Sequence, residues 1–121
     1  MNIISIILII FVALEFFYIM YLETFATTSR KTSETFNISI SVDKLKDKNI
    51  NVLLKNQGVY NGLIGVLLIY SLFFSSNSKE ICAAILVYII GVAIYGGLSS
   101  NISIFFKQGT LPVLALISML W

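Results

Sequence analysis

The chain is predicted to be an all-α integral membrane protein, a bundle of four transmembrane helices. Three observations carry that prediction. Of the 121 residues, 58% are hydrophobic and only 12% are charged, with a mean hydropathy of +0.93. Ordinary soluble domains lie near 45–50% apolar and about 25% charged. Between Gln57 and Trp121 the charged side chains are Lys79, Glu80 and Lys107, so long stretches are uninterrupted by charge. The remaining charge is concentrated in one polar segment. The same composition excludes several classes. There is no histidine and one cysteine, Cys82, which removes His-based triads, HExxH zinc chemistry, intrachain disulfides and cysteine-rich zinc sites. A net charge of +2 without a basic-aromatic platform gives nucleic acid no footprint.

A helix needs about 20 apolar residues to cross a ~30 Å hydrocarbon core. Residues 3–25 supply the first span. It lacks a basic leader region, holds Glu15 within its apolar run and is longer than a signal-peptide core, so it is expected to be retained. Residues 57–75 and 80–98 supply the second and third spans. The fourth, 102–121, reaches full length only by including Lys107 and Gln108, with the lysine snorkelling to the interface or facing the bundle.

The segment 26–55 between the first two spans is predicted to be a polar loop. Phe36, Ile38, Ile40 and Val42 alternate with polar residues in a strand-like period, which suits an extended interfacial segment. Ser41 to Lys55 reads as a helix capped by Ser41 with Asp43 in its first turn. Leu45, Val52 and Leu53 would lie on the membrane while the lysines meet anionic headgroups; a solvated connector is the alternative. Arg30, Lys31, Lys44, Lys46, Lys48, Lys55 and Lys107 fall on one side of the predicted spans and Lys79 on the other. This asymmetry places loops 26–55 and 99–107 in the cytoplasm of a multi-pass cell-membrane protein, with both termini outside. Tyr70, Phe73, Phe74 and Trp121 then sit near the outer interface. Asn37-Ile-Ser39 and Asn101-Ile-Ser103 match the glycosylation tripeptide but fall on the cytoplasmic side, so they are read as chance matches.

Ionisable groups within a span are expensive and normally face the bundle. Glu15 and Glu23 are eight residues apart, about 80° around an α-helix, and so share one broad face with Tyr18. In the second span Gln57, Tyr60 and Asn61 form a polar stripe between Gly58 and Gly62, whose GxxxG spacing permits close helix approach. In the third, Ala84, Tyr88, Gly91 and Tyr95 form a second stripe predicted to face inward. Gln108-Gly109 in the fourth span repeats the Gln57-Gly58 pair, and Pro112 frees the carbonyl of Gln108. Glu15, Glu23, Gln57, Tyr60, Asn61, Tyr95 and Gln108 are therefore the candidates for ligand binding or proton coupling, in a polar pocket open to the cytoplasm. No catalytic residue, metal ligand or cofactor site is assigned, because no phosphate loop, nucleophile–base pair or metal-ligand set is present.

At these residues the chain resembles a known family. Leu14 to Phe25 (LExxYxxYLExF), Asn56 to Gly62 (NQGVYNG), Ile94 to Gly97 (IYGG) and Gln108 to Pro112 (QGTLP) are similar to the small bacterial and fungal membrane family catalogued as a domain of unknown function, number 1304. The resemblance covers nearly the whole chain, with NQGxYNG its most specific element. It implies four membrane spans and no activity. Members often carry a histidine after the first acid of the first motif; Phe16 stands there in this chain, so no histidine-dependent role carries over.

Two readings of function follow. In one, the protein binds or transports a small molecule or ion through the polar pocket; a small proton-coupled exporter shares this architecture but not these motifs. In the other, it is a structural or accessory membrane protein whose polar residues serve helix packing. The expected partners are the lipid bilayer and a small-molecule or ion ligand, with a homo-oligomer compatible with either reading.

Overall fold

The structure is a computed structural model that describes residues 1–36 and 41–121. The described residues are helical, with no strand among them. Helix α1 spans Ile3–Met20 and runs into a π-helical turn, Tyr21–Phe25. Helices α2 (Arg30–Phe36) and α3 (Val42–Leu45) are short. Helices α4 (Lys48–Phe74), α5 (Ser78–Ser99) and α6 (Ile102–Ser118) complete the chain.

Among the described residues, three apolar helical segments are long enough to cross a membrane: Ile3–Phe25, Lys48–Phe74 and Ser78–Ser99. Helix α6 is shorter; its 17 residues rise about 25 Å, and its C-terminal residues close in a turn instead of continuing to Trp121. The second long helix begins at Lys48 and not near Gln57. The reason lies at Asp47, whose carboxylate accepts from the backbone N–H of Asn49 at 3.0 Å and of Ile50 at 3.3 Å. An acid before a helix satisfies orphan donors there, so the helix starts earlier than hydropathy indicates. The predicted Ser41–Lys55 helix is accordingly divided. Ser41 does cap, its Oγ accepting from Lys44 N at 3.3 Å, but α3 ends after one turn. Val42 is helical, and Phe36 ends α2, so neither belongs to an extended run. Ile38, Ile40 and the Asn37 tripeptide lie outside the described residues.

The chain divides into two compact units, one of Met1–Leu14 with Gly65–Trp121, the other Glu15–Ile64. In the first, α5 and α6 are joined by two residues and pack against each other, as short helix connections dictate. Asn101 begins α6, its Oδ1 accepting from Ser103 N at 2.9 Å, so this asparagine serves as a helix cap. The core of this unit is aliphatic: Ile9, Val12, Leu68, Leu86, Ile89 and Ala93 are buried. One polar tie lies within it, where Ser5 Oγ and Ser118 Oγ share a hydrogen bond of 2.8 Å and Asn2 Nδ2 donates to Ser118 O at 2.9 Å.

The third-span stripe faces the other way from the prediction. Cys82, Leu86, Ile89 and Ala93 form the buried side of α5, whereas Tyr88 and Tyr95 are exposed and a Cβ at Gly91 would meet nothing within 4 Å. Residues 82, 86, 89 and 93 have the same four-three-four spacing as residues 84, 88, 91 and 95. The aliphatic set gives the denser packing, and so it takes the interior.

Candidate functional site

The site lies in the second unit, where α1 passes into the π turn and meets α4. Ala26 N donates to Tyr21 O at 2.9 Å, a hydrogen bond to the fifth residue back. This wider turn buries Leu22 and Glu23 together. A π turn at this point closes the C-terminal end of the helix, a place where such wider turns occur. The turn also ends the regular 100° register on which a common Glu15–Glu23 face was predicted.

Glu23 has no exposed surface. Gln57 Nε2 donates to its Oε2 at 2.7 Å, and Asn61 Nδ2 donates to its Oε1 at 2.6 Å. Gln57 and Asn61 are four residues apart on α4 and so project on one side of it. Gly58, between them, permits the approach. A Cβ at Gly58 would lie 2.9 Å from Glu23 Cβ and 3.0 Å from the backbone nitrogen of Thr24, and would clash with Thr24 Oγ1. One turn on, a Cβ at Gly62 would collide with Met20 Sδ and lie 3.0 Å from its Cγ. The GxxxG pair thus sets the two backbones close enough for two short carboxamide side chains to reach one carboxylate.

The helix end is satisfied by hydroxyls. Thr27 Oγ1 donates to Glu23 O at 2.6 Å, and Thr32 Oγ1 donates to Ala26 O at 2.7 Å and to Leu22 O at 3.0 Å. Thr24 Oγ1 reaches across to Lys55 O at 3.0 Å. Carbonyls at a helix C-terminus lack intrahelical donors, and these threonines supply them. Thr24, Thr27 and Thr32 were not singled out from sequence. The available signal was a run of hydroxyl residues directly after an apolar span.

The other candidates are placed differently. Glu15 is half-buried and has no side-chain hydrogen bond to any described residue. Tyr18 is exposed on α1. Tyr60 is 70% exposed and has no hydrogen bond to Glu23. Tyr95, 73% exposed, and Gln108 belong to the other unit. There a Cβ at Gly109 would sit 3.2 Å from the Phe105 ring of its own helix and 3.4 Å from Ala93 Cβ, an ordinary contact, so Gly109 is not held as tightly as Gly58. The Gln-Gly pairs therefore both lie inside helices and do not open them.

Chemically the cluster is one carboxylate and two carboxamides. Each carboxamide also carries an oxygen acceptor, and turning either amide over would present it to Glu23 in place of the NH2. Such a set can hold a hydrogen-bond donor, a proton or a small cation. Among the described residues no three His, Cys, Asp or Glu side chains converge as a metal site would require.

No solved structure matches the chain. It is 57% identical over 118 residues to the uncharacterized protein YpaA of Lactococcus lactis subsp. lactis (strain IL1403), with 98% of each chain covered. Residues 10–120, which include the Glu23–Gln57–Asn61 cluster, the π turn and both close-packing glycine sites, match the family described as a protein of unknown function (DUF1304), and the chain belongs to that family.

Proposed function

We propose that the protein is a multi-pass integral membrane protein of the cell membrane, with α6 as a fourth span, that binds a small cationic or hydrogen-bond-donating ligand at Glu23. Three helical segments of spanning length and a fourth shorter apolar helix support the membrane reading. The seven-to-one distribution of Lys and Arg supports a cytoplasmic location for the 26–55 segment and the α5–α6 connection, with both termini outside.

The observation that carries ligand binding is the buried Glu23 carboxylate in the π turn, faced by the amides of Gln57 and Asn61. A packing role alone would be met by a glutamine, at far lower cost than an ionisable group inside a span. Glu23 holds the ligand, Gln57 and Asn61 orient the carboxylate, and Glu15, farther along α1, is a second acid that transport would require. One observation favours a purely structural role: both Glu23 oxygens already have partners, which makes the cluster a clasp between the π turn and α4.

The test uses purified protein in detergent with tetraphenylphosphonium and alkali cations as probes, following binding by calorimetry and proton release by a pH indicator. Glu23→Gln keeps the size and removes the ionisable group; one of its two partners, Gln57 or Asn61, has to turn its amide oxygen inward to accept from the new NH2. Ligand binding requires that this variant melt within a few degrees of wild type while its binding or proton release is lost. Identical responses in wild type and Glu23→Gln leave the clasp as the role of Glu23.

A further inference from the structure

A second feature belongs to the other unit, the one that contains α5 and α6. The turn between α4 and α5 and the C-terminal end of α6 enclose an open groove of about 910 Å³. That is ample for a small ligand. One wall is apolar, made by Ala83, Leu116, Ile117 and Leu120. The other is polar, with Ser76, Asn77 and Ser78 leading into Lys79 and Glu80. Lys79 and Glu80 are the only charged side chains between Lys55 and Lys107, and both line this one groove. Asn77 begins α5 but makes no side-chain cap, so the first N–H groups of the helix are left without one.

We infer that this groove binds a zwitterionic phospholipid headgroup, with its phosphate against Lys79 and its ammonium against Glu80. Charge complementarity selects this occupant. A groove for an anionic headgroup would not carry a carboxylate next to its single cation, and a groove for a cationic amphiphile would not carry the lysine. A lysine and a glutamate lining one groove supply a partner each for the phosphate and the ammonium. The apolar wall accepts the first carbons of an acyl chain, and Ser76 and Ser78 can donate to phosphate oxygens. The membrane reading above puts the α4–α5 turn at the outer headgroup level, where such a molecule is available. The inference rests on that reading but not on the role of Glu23.

Trp121, the one tryptophan of the chain, follows Leu120 of the groove directly and reports on it. Full-length protein in detergent is titrated with dihexanoyl-phosphatidylethanolamine, with dihexanoyl-phosphatidylglycerol and dihexanoylglycerol as controls, monitoring tryptophan emission. The expected result is saturable binding of the ethanolamine lipid, weakened about tenfold in Lys79→Gln and in Glu80→Gln, as loss of one charge-assisted hydrogen bond predicts. Glu23→Gln should bind it as wild type does, which separates this site from the Glu23 reading. Melting temperatures of both groove variants within a few degrees of wild type exclude unfolding as the cause. Equal affinity of wild type and both groove variants overturns the inference. So does binding of the glycerol headgroup or the uncharged diacylglycerol as tightly as the ethanolamine lipid.

Discussion

At the residue scale, the two glycines of the α4 motif are not equivalent. The Cβ of an alanine at Gly58 would meet the backbone nitrogen of Thr24 and the Cβ of Glu23, atoms that cannot move without shifting the π turn. At Gly62 the nearest atom is the sulfur of Met20, the far part of a flexible side chain. Gly58→Ala should therefore cost about 1–3 kcal/mol through overpacking, while Gly62→Ala should cost less because Met20 can rotate away. Melting temperatures of the two variants in detergent check the order; a reversed order would mean that the backbone approach is set by Gly62. Glu23 itself gives a second comparison. Glu23→Leu leaves the Gln57 and Asn61 amides without their shared acceptor, at about 1–3 kcal/mol for each donor stranded in an apolar setting. Gln57→Leu paired with Glu23→Leu should recover part of that loss, and a double-mutant cycle measures the coupling.

At the element scale, the π turn depends on hydroxyls that come after it in sequence. Thr32 is buried and donates to two carbonyls near the helix end. Thr32→Val keeps the shape and removes the donor, so it should destabilise the protein by about 1–2 kcal/mol and loosen the turn. Amide exchange at Ala26, whose N–H closes the π hydrogen bond, should accelerate in this variant. The cap of α6 is a simpler case. Asn101→Ala removes an acceptor for Ser103 N and should cost about 1 kcal/mol, as helix N-caps generally do. A serine at the same position should restore most of it, since serine caps comparably well.

At the scale of the whole molecule, the proposed sidedness is directly testable. Glu34→Cys and Ser76→Cys, each in a Cys82→Ser background, place one thiol on each proposed side of the membrane. Both positions are exposed in the structure. A membrane-impermeant thiol reagent on intact cells should label position 76, and position 34 only after permeabilisation. The opposite pattern would reverse the orientation drawn from the lysines.

Composition and charge spacing were enough to determine an all-helical chain with several apolar helices, because a run of apolar residues without charge has few other stable solutions. The NQGVYNG stripe was legible in part: Gln57, Gly58, Asn61 and Gly62 have helical spacing and meet a close neighbour, whereas Tyr60, read into the same polar stripe, is exposed. The structure decided what that neighbour is. Nothing in local sequence distinguishes an α turn from a π turn at Tyr21–Phe25, since the choice depends on whether the hydroxyls of Thr27 and Thr32 can reach the freed carbonyls. The start of α4 likewise depended on Asp47 acting as a cap, which outweighs the polar character of the residues that follow. On α5 two faces have identical spacing, and sequence periodicity reads both as stripes. Only packing against α6 selects the aliphatic face as core and leaves Tyr88 and Tyr95 outside, because dense contact stabilises side chains that fill space without an unpaired hydroxyl.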